Sequence, residues 1–256
     1  MRRHDGRLSL LLAGALLLAG PAAAPAQLRT VKATTAVAPG TVITVEGIGG
    51  IDLLGSTVTA ACRKAGLQHE VRRFVWTHGK GKFFRDLQDT QHLLHKGQEL
   101  AAIVRELRAR EPDKPIYLVA KSGGTALALF ALEALPPSSV DRVVLLSAAV
   151  SPNYDLRPAL RTSRLGIVSF HSPYDQLILN WGTRHFGTAD RYYGPSAGLN
   201  GFVVPPELDP EGRALYGKLT QIAWHSRMIW EGHSGGHLGT GSTTFLTQEV
   251  APWLRN

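Results

Sequence analysis

The sequence is poor in cysteine, because Cys62 is the only one among 256 residues. A single thiol cannot form a disulfide within the chain, so the fold must depend on its hydrophobic core. Cys62 lies in a stretch typical of a helix, and we interpret it as a small buried apolar group. Hydrophobic residues make up 44% of the chain, which is enough for the core of one domain.

Several signatures of other function classes are also missing. The glycine-rich stretch "EGIGG" (46–50) fits neither of the phosphate-binding patterns G-x-x-x-x-G-K-[ST] and G-x-G-x-x-G. The S-x-x-K nucleophile motif of penicillin-interacting enzymes is also absent, because no serine has a lysine three residues later. The net charge is +8, of which the first 26 residues contribute +2, and the remaining basic residues are scattered without interleaved aromatics. We therefore expect no nucleic-acid partner, no cofactor and no metal. The cationic surface would favour only weak association with anionic lipid or cell-wall polymers.

The first 26 residues have the pattern of a secretory signal peptide. Three arginines open the chain, an apolar run follows over residues 8–20, and "APA" (24–26) is a small-residue cleavage site. The apolar run is too short for a comfortable membrane span. We predict cleavage near Ala26 and a secreted or periplasmic protein; an uncleaved N-terminal anchor is the alternative.

The remaining residues, 27–256, read as a single α/β domain. Short apolar runs alternate with amphipathic segments, which predicts a mostly parallel sheet of about six strands with helices on both faces, a three-layer sandwich. Ligands of such sheets bind at the carboxyl ends of the strands. The predicted strands are 41–47, 69–76, 115–120, 141–147, 165–170 and 226–232, and the predicted helices are 53–66, 86–110, 123–135 and 242–254.

Two serines compete for the role of nucleophile. Ser234 stands in "GHSGG" (232–236), which fits the G-x-S-x-G pattern letter for letter, whereas Ser122 stands in the poorer match "AKSGG" (120–124). We expect Ser122 to be the nucleophile, because it lies between a predicted strand and an apolar helix whose N-terminus would face developing negative charge. Only 22 residues follow Ser234, and they contain no aspartate and one glutamate. A helix N-cap without chemistry is the alternative for Ser122.

A nucleophilic serine needs a base, and the base needs an orienting carboxylate. Asp175 ends the stretch "HSPYD" after the fifth predicted strand and is the favoured carboxylate, with Asp155 second. His237 follows the sixth predicted strand and is the favoured base over His233. A metal site built from these two histidines and His225 is disfavoured, because the two glycines between His233 and His237 argue against the helix that H-x-x-x-H spacing needs.

The developing negative charge on a substrate oxygen calls for backbone N–H donors. Gly123, directly after the nucleophile, supplies one donor in this interpretation. Ile48, in the glycine-rich stretch after the first predicted strand, supplies the other. A plain glycine turn is the alternative for that stretch.

In chain order the motifs "TVEGIGG", "LVAKSGG", "FHSPYD" and "EGHSGGH" resemble the α/β-hydrolase superfamily, in a compact lipase- or esterase-like form. The resemblance covers about residues 41–254 and implies a Ser-Asp-His triad acting through an acyl-enzyme on esters, thioesters or amides. We expect a carboxylic ester hydrolase acting on a lipid or small ester. A catalytically silent binding protein with the same fold is the alternative. Glu46, where many lipases have histidine, and Ala120, in place of a glycine, depart from the pattern.

The long segment 180–225 is expected to act as a lid or as a wall of an acyl pocket. It contains several aromatic residues separated by glycine and proline, and it lies after the strand that leads to Asp175. The alternative is a surface excursion whose aromatics anchor it to the core. The aromatics are Trp181, Phe186, Tyr192, Tyr193 and Phe202.

Overall fold

The computed structural model describes residues 38–51, 53–175, 188 and 190–255. The predicted signal peptide and the part of the predicted lid from 180 to 187 lie outside the described residues. Six strands form one sheet, ordered β2-β1-β3-β4-β5-β6, and every neighbouring pair is parallel. The strands are β1 (Thr41–Val45), β2 (Glu70–Phe74), β3 (Ile116–Lys121), β4 (Arg142–Leu146), β5 (Ile167–His171) and β6 (Leu219–Ala223).

Helices connect the strands and cover both faces of the sheet. The main ones are α1 (Leu54–Lys64), α2 (Phe83–Gln88), α3 (Thr90–Arg110), α4 (Gly123–Glu133) and α5 (Arg157–Thr162). Short helices follow at Ala197–Asn200 and Pro210–Tyr216, and 3-10 turns at Ser226–Glu231 and Gly239–Gly241. The chain then closes with a continuous helical stretch, which runs from Thr243–Phe245 through a π turn at Leu246–Val250 to a 3-10 turn at Ala251–Leu254.

The core lies in two layers, one on each face of the sheet. Helices α3, α4 and α5 pack on one face, where Leu127 and Leu145 are fully buried. Helix α1 and the C-terminal helical stretch pack on the other, where Val144 and Phe245 are fully buried. Alternate residues of each central strand point to opposite faces, so both faces bury apolar surface. The expected three-layer sandwich, a parallel sheet of six strands with helices on both faces, is therefore confirmed.

The sixth strand was predicted in the wrong place. Residues 226–231 form a 3-10 turn, and β6 is the half-exposed segment Leu219–Ala223, which pairs with β5 at the edge of the sheet. The Gln221 side chain donates to the Phe202 carbonyl (2.9 Å) and accepts from the Phe202 N–H (2.6 Å). The predicted lid segment 180–225 thus includes a strand of the sheet. Phe202 is buried in the core, whereas Tyr193 is exposed.

The helix predicted over 86–110 is two helices. Asp89 ends α2 and caps α3, accepting a hydrogen bond from the His92 N–H (2.9 Å). Asp86, predicted to sit at the start of one long helix, instead lies in α2 with its side chain buried. The intervening cap explains the break, because a side chain that satisfies the first free N–H groups starts a new helix.

Two simpler features complete the description of the fold. Cys62 is buried in α1 as expected, and burial raises the pKa of its thiol to about 11. Among the residues that the structure describes, the helices are all too short or too polar to cross a membrane.

Candidate active site

Ser122 stands at a sharp turn between β3 and α4. Its φ of 51° and ψ of −128° lie where glycine is favoured, which costs a serine about 1–3 kcal/mol. The turn is held by its neighbours: the Ser122 N–H donates to the Leu146 carbonyl (2.9 Å), and the Thr125 N–H and hydroxyl both donate to the Ser122 carbonyl (2.9 and 2.5 Å). The Thr125 hydroxyl also accepts from the Ala149 N–H (3.0 Å). The strained serine is therefore tied to β4 and to the loop after it.

Small residues let the first turn of α4 approach the end of β1 closely. A Cβ at Gly124 would clash with the Glu46 carbonyl oxygen, and a Cβ at Gly47 would lie 3.1 Å from the Ser122 Cβ. Ala120, the departure from the glycine of the sequence pattern, is fully buried within β3. An alanine fits at position 120 because the close contacts between α4 and the end of β1 are made at Gly124 and Gly47 instead.

Ser122, His237 and Asp175 form a continuous hydrogen-bonded chain. His237 Nε2 lies 2.9 Å from Ser122 Oγ, and His237 Nδ1 lies 2.7 Å from Asp175 Oδ2. Ser122 and Asp175 are both buried, and a small part of the imidazole is exposed. A proton on Nδ1 can donate to Asp175, which leaves Nε2 to accept from the serine hydroxyl. The arrangement can therefore remove a proton from Ser122.

The loops that carry Asp175 and His237 pack against each other. The Asp175 N–H donates to the Ser172 carbonyl (3.1 Å), which closes the turn after β5. Gly235 adopts a φ of 94°, and a Cβ there would lie 3.0 Å from the Tyr174 Cβ. The Thr240 hydroxyl donates to the His237 carbonyl (3.1 Å). The glycine-rich sequence around His237 thus serves a tight contact with the loop that ends at Asp175.

Within the described residues, the alternative candidates for nucleophile, carboxylate and base lie outside this hydrogen-bonded chain. Ser234 is exposed on the loop, with neither a helix after it nor a histidine or carboxylate bonded to it. Asp155 is exposed and pairs with Arg157 (2.8 Å). His233 is buried edge-on against Phe245, with ring centroids 4.8 Å apart.

His233 is held in its neutral form. Its Nδ1 accepts a hydrogen bond from the Gly235 N–H (3.3 Å). Burial lowers its pKa to about 4, against the opposing attraction of the Asp175 carboxylate. Between the two histidines considered, His237 is the one that contacts Ser122.

The two residues expected to supply the oxyanion donors are in contact. Gly123 is the first residue of α4, and a Cβ on it would lie 2.8 Å from the Ile48 Cγ2. Within the described residues, the N–H groups of Ile48 and Gly123 have no protein acceptor. The start of α4 also favours negative charge, because the first N–H groups of a helix are unsatisfied.

Glu46, noted in the sequence only as a departure from histidine, holds the loop that carries Ile48. One carboxylate oxygen accepts from the Gly47 N–H (3.0 Å), and the other accepts from the N–H groups of Leu53 (3.0 Å) and Leu54 (2.7 Å). The side chain therefore caps α1 and fixes the start of the loop. An acidic residue several positions before a helix was the only available signal.

No family model and no curated protein matches the chain, whereas solved structures do. An α/β serine hydrolase without lid from Xanthomonas campestris is 15% identical, with 86% of this chain and 84% of that chain covered and a TM-score of 0.49. A cutinase-like protein from Cryptococcus sp. is 14% identical, with 86% and 97% covered and a TM-score of 0.44. A Trichoderma reesei cutinase with a phosphonate inhibitor is 12% identical, with 84% and 74% covered and a TM-score of 0.41. At these values the likeness is distant.

Proposed function

We propose that the protein is a serine hydrolase that cleaves carboxylic esters through an acyl-enzyme. One observation carries the proposal: Asp175, His237 and Ser122 are joined by hydrogen bonds of 2.7 and 2.9 Å, with the serine on a strained turn at the start of a helix. A base oriented by a buried carboxylate and bonded to a hydroxyl is the arrangement that nucleophilic catalysis requires.

In the first half of the reaction, Ser122 Oγ attacks the ester carbonyl carbon while its proton passes to His237 Nε2. Asp175 stabilises the imidazolium that forms. The carbonyl oxygen becomes an oxyanion, and the N–H groups of Ile48 and Gly123 donate to it. The bond between the carbonyl carbon and the alcohol oxygen then breaks, and the departing alcohol takes the proton from His237.

In the second half, water repeats the attack on the acyl-enzyme. Water gives a proton to His237 and adds to the acyl carbon, and the oxyanion again faces Ile48 and Gly123. The bond to Ser122 Oγ breaks as the serine regains its proton from His237. The acid leaves, and the hydrogen-bonded chain is restored.

Exposed apolar side chains that neighbour the site residues in the sequence support an apolar ester as substrate. Ile51 and Leu53 follow the loop that carries Ile48, and they are 55% and 62% exposed. Tyr174 immediately precedes Asp175 and is 62% exposed, and Leu238 immediately follows His237 and is 84% exposed. An acyl chain or apolar alcohol group would bury part of this surface on binding.

A fluorophosphonate probe, which modifies activated serines, tests the proposal directly. We expect labelling of the wild type and of Ser234→Ala, and none of Ser122→Ala. Nitrophenyl esters of graded acyl length should be hydrolysed with the same dependence on Ser122. Labelling that survives in Ser122→Ala and disappears in Ser234→Ala would reverse the assignment. A folded wild type that neither labels nor hydrolyses any ester would instead favour a binding protein.

Export is proposed on the signal-peptide pattern of residues 1–26. Expression of the full chain in a bacterial host should yield an extracytoplasmic protein whose intact mass corresponds to a start near Gln27. Retention of the full-length mass in the cytoplasm would contradict the proposal.

A further inference from the structure

The carboxylate of Asp86 is buried, and both of its oxygens accept hydrogen bonds. Oδ2 accepts from the Gly49 N–H (2.8 Å), in the loop that carries Ile48. Oδ1 accepts from the His78 N–H (2.8 Å) and also lies 2.8 Å from His78 Nδ1. The side chain is 0% exposed. Burying a carboxylate is costly, so these partners must hold it in one position.

Gly49 is constrained on its other side as well. Its carbonyl accepts from the Gly81 N–H (2.9 Å), and its φ is 92°. A Cβ there would clash with the ring of Phe83, which lies in α2 three residues before Asp86. The Gly49 backbone is therefore fixed through its N–H, its carbonyl and its packing against α2.

Three consecutive backbone N–H groups of this loop differ in whether they have a hydrogen-bond acceptor. The Gly47 N–H is bonded to the Glu46 carboxylate, and the Gly49 N–H is bonded to the Asp86 carboxylate. Between them, the Ile48 N–H has no protein acceptor within the described residues. The two outer groups are thus held by carboxylates, and the central group stays available beside Gly123.

We infer that Asp86 is a positioning residue, which holds the loop 46–50 so that the Ile48 N–H can donate to the substrate oxyanion. The inference rests on the proposed hydrolase function. Asp86 acts through the Gly49 N–H. Loss of its carboxylate would let the Gly49 peptide rotate and would move Ile48 relative to Gly123. A donor that is misplaced costs stabilisation of the transition state more than binding of the substrate.

Asp141 offers a matched control at the opposite ends of the strands, the amino ends. Its side chain is also buried, and it accepts from the Ile116 N–H (2.8 Å) and from Arg108 Nη2 (2.9 Å). It directly precedes β4, so it lies at the amino end of the strands, whereas Ser122 follows the carboxyl end of β3. Removing its charge should disturb the fold without moving the loop 46–50.

The test compares Asp86→Ala, Asp86→Asn and Asp141→Asn in the full chain, with nitrophenyl butyrate as substrate. We expect Asp86→Ala to lower kcat by about ten- to a hundredfold, with KM within about twofold of wild type. Asp86→Asn should lose less, because its amide oxygen can still accept from Gly49. Asp141→Asn should lower the melting temperature and leave kcat unchanged. Equal kcat in Asp86→Ala and wild type, or an equal loss in Asp141→Asn, would overturn the inference.

Amide hydrogen exchange of Gly49 gives a readout that does not depend on activity. The Gly49 N–H should be protected in wild type and in Asp141→Asn, and should exchange faster in Asp86→Ala. Unchanged protection in Asp86→Ala overturns the positioning role. A wild type without turnover that depends on Ser122 contradicts the proposed function and this inference together, whereas such turnover with a fully active Asp86→Ala contradicts the inference alone.

Discussion

His237 Nε2 lies 2.9 Å from Ser122 Oγ, although 115 residues separate the two in the chain. The contact is made because the turn after β3 and the loop before the C-terminal helical stretch meet at the carboxyl ends of the parallel strands. The second nitrogen of the ring faces Asp175, so the orientation of the imidazole is fixed from both sides.

Asp175→Asn should reduce kcat by about 10⁴-fold, because an amide cannot hold His237 in the tautomer that accepts the serine proton. Steady-state hydrolysis of an activated ester measures the loss. Asp155→Asn is the matched control: Asp155 also follows a strand, but it is exposed and pairs with Arg157. Equal activity in both variants would show that Asp175 does not orient the base.

The strain at Ser122 predicts an inverted preference between alanine and glycine. Ser122→Gly should have a free energy of unfolding about 1 kcal/mol higher than Ser122→Ala, because glycine adopts a φ of 51° without the steric cost. Urea unfolding of the two inactive variants measures the difference. At Ser56, in the first turn of α1, the order should be opposite, since glycine is a poorer helix former than alanine. A Ser122→Ala variant at least as stable as Ser122→Gly would contradict strain at Ser122.

Gly235 and Gly236 form a natural pair for testing the loop that carries His237. Gly235→Ala should lower both kcat and the melting temperature, because Gly235 has a φ of 94° and the added Cβ would lie 3.0 Å from the Tyr174 Cβ. Gly236→Ala should leave both nearly unchanged, because a Cβ there meets nothing within 4 Å. Ester hydrolysis and thermal unfolding of the two variants check the prediction. Comparable losses in both would mean that general loop stiffness matters, and not the contact with Tyr174.

His233 should make stability depend on pH below neutrality. Burial lowers its pKa from 6.5 to about 4, so between these values the unfolded chain binds a proton that the folded chain does not. The free energy of unfolding should therefore fall as pH decreases through this window, by up to about 3 kcal/mol from this residue. Urea unfolding of wild type and His233→Asn at pH 7 and pH 4.5 isolates the contribution, and parallel losses in both proteins would contradict it.

The sequence was most informative where a residue's own neighbours determine its structure. β3 and α4 were predicted because an apolar run leads into Ser122 and an apolar helix leads out. β6 was missed because an edge strand is half-exposed, and Thr220 and Gln221 make it more polar than "SRMIWEG" (226–232). Propensity favours the more apolar segment, whereas the sheet accepts the one that can pair with β5.

Contacts between residues far apart in the chain could not be predicted from the sequence. Asp86 looked like a charge at the start of a helix, and nothing nearby indicates that its carboxylate bonds to Gly49, 37 residues earlier. Glu46 looked like a departure from a lipase pattern, although its side chain caps α1. Both roles depend on how the helices pack against the ends of the strands, which local pattern does not encode.

The buried carboxylate of Asp141 has a wider consequence for how the molecule can be altered. It joins a backbone group of β3 to arginines from α3 and from the turn before β5, Arg108 and Arg164. Asp141 thus links three separate stretches of chain at the amino ends of the strands, on the side of the sheet opposite Ser122. Loops at the carboxyl ends of the strands could be exchanged while these bonds keep the strands in register.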